Sequence, residues 1–549
     1  MKQISERHWV TASFLCPDYF NFMVPFHFTR AVVAVPPIKD FYSTPHRFAS
    51  LGGKIVADIL DRQGVESTFV NFPVLSRRSL PIELPSALVH LRPFIIEGEF
   101  GRLSFFTRYQ QFGPDIDECA SLILGHQPDA CFLSCFAFCY AEPLLELAAL
   151  LKKRKPDLMI VAGGAGVSAY PGYFLRSQVI DYAISGEAEV SLPAFIRELR
   201  QERPEPARVP NLWRLQDGSP SAPSKSAWTT SQDLQLSYVK VFETKRSCRH
   251  LTVLSRGCPL KCRFCSNHVA HGDEFRTMPL DRLRAGLANQ PVNDHESREI
   301  VIDIEDDNLL IDPDYSLAAL REFRSRFPEC SFTAENGIDY RLLTPELANA
   351  LIDLGMRQFN LSLASIDPRA LVSENRPADL RRYEDLLALF ARRGIPTVSY
   401  FICGLQDDDR ESIARHLAYL QRQPTLIGIS LFYPVPGLPG FEDRSRFDAL
   451  SPALCAGSSA WPWNAAIGTE TLVTAFRLAR FVNLSKEPAI SAENRALLDR
   501  IRDEKKLYTR IMREGRREEL PVPGMDEELV CLFFRNCSDH PGIFLPGSL

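Results

Sequence analysis

Short apolar runs alternate with amphipathic segments along most of this chain, which limits it to strands laid side by side under covering helices. The first run, Arg30-Ala-Val-Val-Ala-Val-Pro-Pro37, is apolar on both faces, as a buried parallel strand must be. Leu51 to Gly64 then reads as a helix and Glu66 to Asn71 as a second strand. Further strands are predicted at Ala130 to Ser134, Leu158 to Gly164 and Tyr182 to Glu187, with a helix from Glu142 to Arg154. Such an order predicts an α/β, Rossmann-like, doubly wound domain over 28–200, with ligands at the carboxyl ends of its strands.

Residues 1–27 form an extension, and 201–246, rich in Pro, Ser, Arg and Gln, read as a linker with a short strand or two. A second alternation begins at 247. Its strands are predicted at His250 to Arg256, Glu299 to Ile304, Ser331 to Ala334, Gln358 to Leu363, Thr397 to Cys403 and Leu426 to Phe432. Leu280 to Ala288, Asp314 to Arg326, Pro345 to Leu354, Leu380 to Arg393 and Arg410 to Arg422 carry the three-and-four spacing of helices. Parallel strands joined this way require right-handed crossovers. From 441 to 549 the pattern is mostly α-helical, at Leu472 to Asn483 and Ala492 to Tyr508.

A formal net charge of -5 offers no polycationic surface for nucleic acid. No apolar run reaches the roughly 18 residues of a membrane span, and no secretory core is visible, so a cytoplasmic protein is expected. Fourteen cysteines in 549 residues are too sparse for a disulfide scaffold, which leaves the thiols reduced and open to metal.

Three of those thiols, Cys258, Cys262 and Cys265, follow the first strand of the second alternation in CxxxCxxC spacing. Electron-transfer clusters of four irons normally take four thiolates, so three leave one iron open to a substrate or cofactor. A structural zinc site completed by His268 or His271 is the alternative reading. Cys131, Cys135 and Cys139 are spaced regularly too, and Cys455, Cys531 and Cys537 lie nearer the carboxyl end. Core packing is the simpler account of both groups.

The stretch Ser255 to Ser266, with Phe264 before the last cysteine, resembles the motif of the radical S-adenosylmethionine (radical SAM) superfamily. That resemblance implies a partial TIM-like (β/α)6 barrel over 247–440, a 4Fe-4S cluster on Cys258, Cys262 and Cys265, and S-adenosyl-L-methionine chelated at the open iron. It also implies cofactor contacts from Phe264, from Glu305, Asp306 and Asp307 toward the methionyl ammonium, from Ser365 toward ribose or carboxylate, from Arg376 toward the carboxylate and from Gly404 beside adenine. An electron donor such as flavodoxin or ferredoxin would be the partner.

The preceding domain resembles the cobalamin-binding domain of the B12-dependent branch, through Gly52-Gly53, Gly163-Gly164 and Gly186-Glu187. The axial-histidine motif DxHxxG is absent, since His46 lies six residues before Gly52, so cobalt is expected without a histidine from that motif. The combined expectation is hydrogen abstraction from an unactivated carbon, with methyl transfer from cobalamin implied by the resemblance. Two alternatives stand beside it: a vacant cobalamin-like domain with rearrangement, cyclisation or oxidation, and a noncatalytic iron-sulfur or cobalamin sensor.

Overall fold

The computed structural model describes residues 28–42, 45–75, 79–95, 106, 108–244, 246–290, 299–486, 508–513 and 516–521. In the first domain β1 (Arg30–Val35), α1 (Leu51–Arg62), β2 (Glu66–Asn71), α2 (Ile116–Gly125), β3 (Ala130–Ser134), α3 (Ala141–Arg154), β4 (Met159–Gly163), β5 (Tyr182–Ile184) and α4 (Ala188–Leu199) follow in order. The strands lie side by side as β2-β1-β3-β4-β5, all parallel. This order reverses between β1 and β3, which opens a crevice at their carboxyl ends.

Side chains alternate across the sheet as the strand repeat requires. Val32, Ala34, Cys131, Leu133, Ile160 and Ala162 join one apolar layer with Leu144, Leu147 and Leu151 of α3. Ala31, Val33, Phe132 and Val161 join the opposite layer with Ile55 and Ile59 of α1 and Leu192 and Phe195 of α4. Ser50 starts α1 at the crevice by accepting a hydrogen bond from Gly53 N at 3.0 Å.

The expected linker is divided between two sheets. β6 (Leu212–Gln216) and β7 (Ser219–Ser221) extend the first sheet antiparallel from β5, and β8 (Tyr238–Glu243) pairs antiparallel with β9 (Ser247–Thr252) of the second.

In the second domain, β9 is followed by α5 (Leu280–Ala288), β10 (Glu299–Ile304), α6 (Pro313–Arg326), β11 (Ser331–Thr333), α7 (Pro345–Asp353), β12 (Phe359–Ala364), α8 (Leu380–Arg393), β13 (Thr397–Cys403), α9 (Arg410–Arg422) and β14 (Leu426–Leu431). β9-β10-β11 and β12-β13-β14 are parallel sets. Between them Ile338 N donates to Asn360 O at 2.6 Å and Ser362 N donates to Ile338 O at 2.8 Å, which carries the curve across the gap. Helix starts are capped by side chains ahead of the first turn: Asp312 before Pro313, Thr344 before Pro345, and Asp409 with Ser412 in a capping box. Ile300, Ile302 and Ile304 of β10 face the helices, and Asp303 sits on the opposite face.

The first barrel strand is shorter than expected. It ends at Thr252, and Ser255–Arg256 instead pairs antiparallel with Arg276–Thr277, pinching off the loop that holds the cysteines. Past the barrel, α10 (Thr469–Ser485) packs Leu472, Val473, Ala475, Leu478 and Ala479 into the barrel core. The carboxyl-terminal region also carries an antiparallel hairpin, Tyr508–Arg513 with Arg516–Pro521. Most of the predicted helix from Ala492 to Tyr508, together with Cys531 and Cys537, lies outside the described residues. No helix among the described residues is long and apolar enough to cross a membrane.

Candidate functional site

The cysteine loop is fastened from three directions. From the end of β10, Asp306 accepts hydrogen bonds from Leu254 N at 2.7 Å and Ser255 Oγ at 2.5 Å, and Asp307 accepts one from Gly257 N at 2.7 Å. Gly257 has φ +80°, and a Cβ there would lie 2.1 Å from Glu274 O, so only glycine fits this turn. From beyond β12, Glu374 O accepts from Arg263 N at 3.1 Å, and Asn375 Nδ2 donates to Leu260 O and Lys261 O at 3.2 and 3.3 Å. The third direction is the first domain, through Glu187.

Two donors face the sulfurs. Arg376 Nη1 lies 3.5 Å from Cys262 Sγ, and Asn308 Nδ2 lies 3.9 Å from Cys258 Sγ. Arg376 also donates to Ser362 O at 2.6 Å, while its buried Nε has no hydrogen-bond partner among the described residues. Cys258 and Cys265 are half-buried and Cys262 is buried, all as free thiols. Burial, with the other two cysteines nearby, pushes the Cys265 thiol up to about 11. A cationic donor and an amide aimed at sulfur, with an unused guanidinium N–H beside them, fit a thiolate-bound anionic cluster. His271, one of the two histidines that could complete a zinc site, has its Nδ1 3.3 Å from Glu187 instead.

Beside the loop, the crevice of the first domain opens against the barrel and forms one cavity of about 320 Å³. Its first wall includes Ser50, Gly52, Phe136, Gly163, Gly164, Ser168, Gly186 and Glu187. Its second includes Leu251, Val253, Arg256, Ala270, His271, Glu305 and Asp307. A Cβ at Gly52 would meet nothing within 4 Å, and one at Gly163 only Ile184 O at 3.7 Å, so these glycines leave room for a bulky ligand. This volume lies in the range of small-molecule sites, roughly 300–1,000 Å³, and the largely apolar lining suits the flat face of a corrin. His46 is exposed, packs at a tilt against Phe242 with ring centroids 4.9 Å apart and is absent from the lining.

Several sequence-predicted residues make contacts within the fold. Asp306 is buried, with both oxygens committed to the cysteine loop. Ser365 turns inward, 2.8 Å from His416 Nε2, which also accepts from Ile366 N at 2.7 Å. Burial pushes the His416 imidazole down to about 4, which keeps it neutral as that acceptor. Gly404, at φ +98°, donates its N–H to Asp408 at 2.8 Å, and its missing Cβ clears Leu472 of α10. Gly164, at φ +94°, is required by backbone packing, because a Cβ would lie 2.6 Å from Cys135 O. Arg376 meets Cys262 directly. Phe264 is half-buried within the loop.

Glu305 and Asp307 are the acidic strand-end residues that line the cavity. Burial, reinforced by neighbouring Asp303, pushes the Glu305 carboxyl up to about 8. Asp303 is itself committed to Arg249 at 2.8 Å and Thr333 Oγ1 at 2.8 Å. Cys131, Cys135, Cys139 and Cys455 belong to the apolar layer of the first domain, where burial raises their thiols, as core cysteines.

Residues 252–420 match the Radical SAM superfamily model. Hopanoid C-3 methylase of Methylococcus capsulatus is 24% identical over 325 residues, 57% of this chain and 60% of that protein. The cobalamin-dependent radical SAM methyltransferase TokK of Streptomyces tokunonensis is 27% identical over 180 residues, 29% of this chain and 25% of that protein. Each alignment thus spans 60% or less of the curated relative's length. Among solved structures, the radical S-adenosylmethionine methyltransferase TsrM from Kitasatospora setae, with cobalamin and a 4Fe-4S cluster bound, superposes with a TM-score of 0.54 at 14% identity, over 75% of this chain and 74% of that one. The cobalamin-dependent radical enzyme OxsB gives 0.52 at 13% identity, over 93% and 66%. The three-cysteine loop and the strands β10 to β13 fall within the stretch that matches the radical SAM superfamily model. That stretch follows a Rossmann-like domain, and the chain resembles TsrM and OxsB in fold.

Proposed function

We propose that this protein is a cobalamin-dependent radical SAM enzyme that abstracts hydrogen from an unactivated carbon and methylates it. The observation that carries the reading is the shared cavity, in which the glycine-lined crevice of one domain faces the acidic strand ends beside the cysteine loop of the other. The methylase and methyltransferase names of the relatives support the methyl-transfer part. When bound, the cluster, S-adenosylmethionine and cobalamin together supply the electron, the radical and the methyl carrier.

The chain's own residues position and insulate that chemistry. Cys258, Cys262 and Cys265 hold the cluster, while Arg376 and Asn308 place donors against two of the sulfurs and offset their charge. Glu305 and Asp307 offer carboxyl oxygens to the methionyl ammonium in the cavity, where charge-assisted hydrogen bonds are strong. Gly52 and Gly163 leave space that a corrin would fill, and Phe136 and Val253 give that cavity apolar wall. Gly164, Gly186, Ser365 and Gly404 shape the surrounding turns. Reduced cysteines fit a cytoplasmic setting, and flavodoxin or ferredoxin would deliver the electron.

Anaerobic purification with cobalamin supplied, followed by iron, sulfide and cobalt analysis, tests the proposal. About four irons and one cobalt per chain are expected. Iron without cobalt would assign the vacant-domain alternative, and zinc alone would overturn the assignment.

A further inference from the structure

Glu187 was expected to touch a cofactor, yet its carboxylate is directed at the other domain. Only 3% exposed, it accepts two hydrogen bonds from Arg276, Nη1 at 2.7 Å and Nη2 at 3.1 Å, and one from Thr229 N at 2.9 Å. His271 Nδ1 lies 3.3 Å away and Arg256 Nη1 3.7 Å. Arg256 and Arg276 are register partners in the two-stranded pairing that pinches off the cysteine loop. One carboxylate from the first domain therefore grips both arms of the cluster loop at its base.

Charge makes this grip selective. Arg276 and Arg256 are 5% and 8% exposed, and each buried guanidinium needs a counter-charge. Glu187 supplies it to both, and Glu189, 3.2 Å from Arg256, completes a set of two cations and two carboxylates. Burial alone would raise the Glu187 carboxyl, but hydrogen bonds from His271 and Arg276, the charge of Arg256 and Thr229 hold it down at about 2. Trp228 reinforces the seam, since a Cβ on Gly186 or on Gly272 would lie 3.1 Å from its ring.

The same turn is also cavity wall. Gly186, at φ +72°, donates its N–H to Ser168 Oγ at 2.8 Å, and Ser168, Gly186, Glu187, Arg256 and His271 all line the cleft. A ligand filling the cleft thus presses on the residue that holds the cluster loop.

We infer that Glu187 is a positioning residue that couples the two cofactor sites, so that filling the first-domain cleft tightens S-adenosylmethionine binding at the cluster loop. This rests on the cofactor reading above, and reciprocity requires S-adenosylmethionine to tighten the cleft ligand by the same factor.

The test uses anaerobically reconstituted full-length protein. S-adenosylmethionine is titrated with and without cobalamin, followed by the change in the electron paramagnetic resonance of the reduced cluster. Wild type should bind S-adenosylmethionine about tenfold more tightly with cobalamin present, within the usual range of coupling. Glu187→Gln, which removes the charge and keeps the shape, should bring that ratio close to one. Glu187→Asp, which keeps the charge, should restore a ratio well above one, a rescue that general loosening of the fold would not give. A wild-type ratio of one, or a wild-type ratio retained in Glu187→Gln, overturns the inference. Wild type that binds no cobalamin would sink the cofactor reading and this inference with it, a result seen before any ratio is measured. Should the variant fail to fold, hydrogen exchange of wild type decides: amides of 255–277 should gain protection on adding cobalamin, and unchanged protection overturns the coupling.

Discussion

The two domains share the strand-helix repeat but finish their strands differently. In the barrel, strand ends carry charged side chains that reach back to the backbone, as Asp306 does to Leu254 N and Asp408 to Gly404 N. In the first domain the ends that line the cleft carry small residues, Ser134 and Cys135 at the end of β3, Gly163 and Gly164 at the end of β4, and the committed acid Glu187 lies one turn beyond β5. Polar ends suit a small charged ligand that must be held by directed hydrogen bonds. Small, apolar ends suit a broad flat ligand held by area. One parallel-sheet scheme thus makes two unlike sites, and the difference lies almost wholly in the residue or two after each strand.

The severest way to break this comparison is to remove a cluster ligand. Cys262→Ala should abolish the cluster's visible absorbance and reductive formation of 5'-deoxyadenosine, while cobalamin bound to the first domain stays. Unchanged 5'-deoxyadenosine formation would refute the cluster assignment.

Next in size is Gly257→Ala. A side chain at φ +80° carries strain of roughly 1–2 kcal/mol, and its Cβ would also strike Glu274 O. Iron content should fall to a small fraction of wild type, with the first domain again unaffected. Full iron loading would show that the turn has freedom the structure denies it.

The reverse dissection fills the cleft. Gly52→Phe projects a ring into space that is open to 4 Å, so the fold should tolerate it. Cobalamin affinity should drop at least about tenfold, or ~1.4 kcal/mol, with iron loading unchanged. If both cofactors were lost together, the two sites would not be separable.

These contrasts were unevenly legible in the sequence. Thr397–Cys403 and Leu380–Arg393 have the bounds their patterns predict, because each buries one repeating apolar face and local spacing is enough to place it. The cysteine loop was legible because its chemistry depends on spacing within a few residues. Ser365, Asp306 and Gly404 lie at strand ends, and the partners each takes within the fold, His416, the Leu254–Ser255 turn and Asp408, could not be read from apolar spacing. Glu187 is the extreme case, since its partner Arg276 lies 89 positions away in another domain. Trp228, which seals the seam, sits in what composition marks as linker.

The smallest expected effect bears on the polar half of the comparison, and it turns on a proton. Glu305 lines the cavity with its carboxyl pushed up to about 8, chiefly by burial and then by Asp303. Relative to its ordinary value of 4.5, the folded protein holds a proton there that the unfolded chain has released. Stability from this group is therefore fully present below about 4.5 and is lost as pH rises through about 8. An ammonium delivered beside Glu305 favours the ionised form, so S-adenosylmethionine should expel that proton on binding at pH 7. Calorimetric titrations in buffers of different ionisation enthalpy should show release approaching one proton at pH 7, fading above about 8, and absent in Glu305→Gln. Release that persists in Glu305→Gln would move the ammonium contact to Asp307. No release in wild type would mean the ammonium binds away from the β10 end, and the contrast between the two sets of strand ends would then rest on the cysteine loop alone.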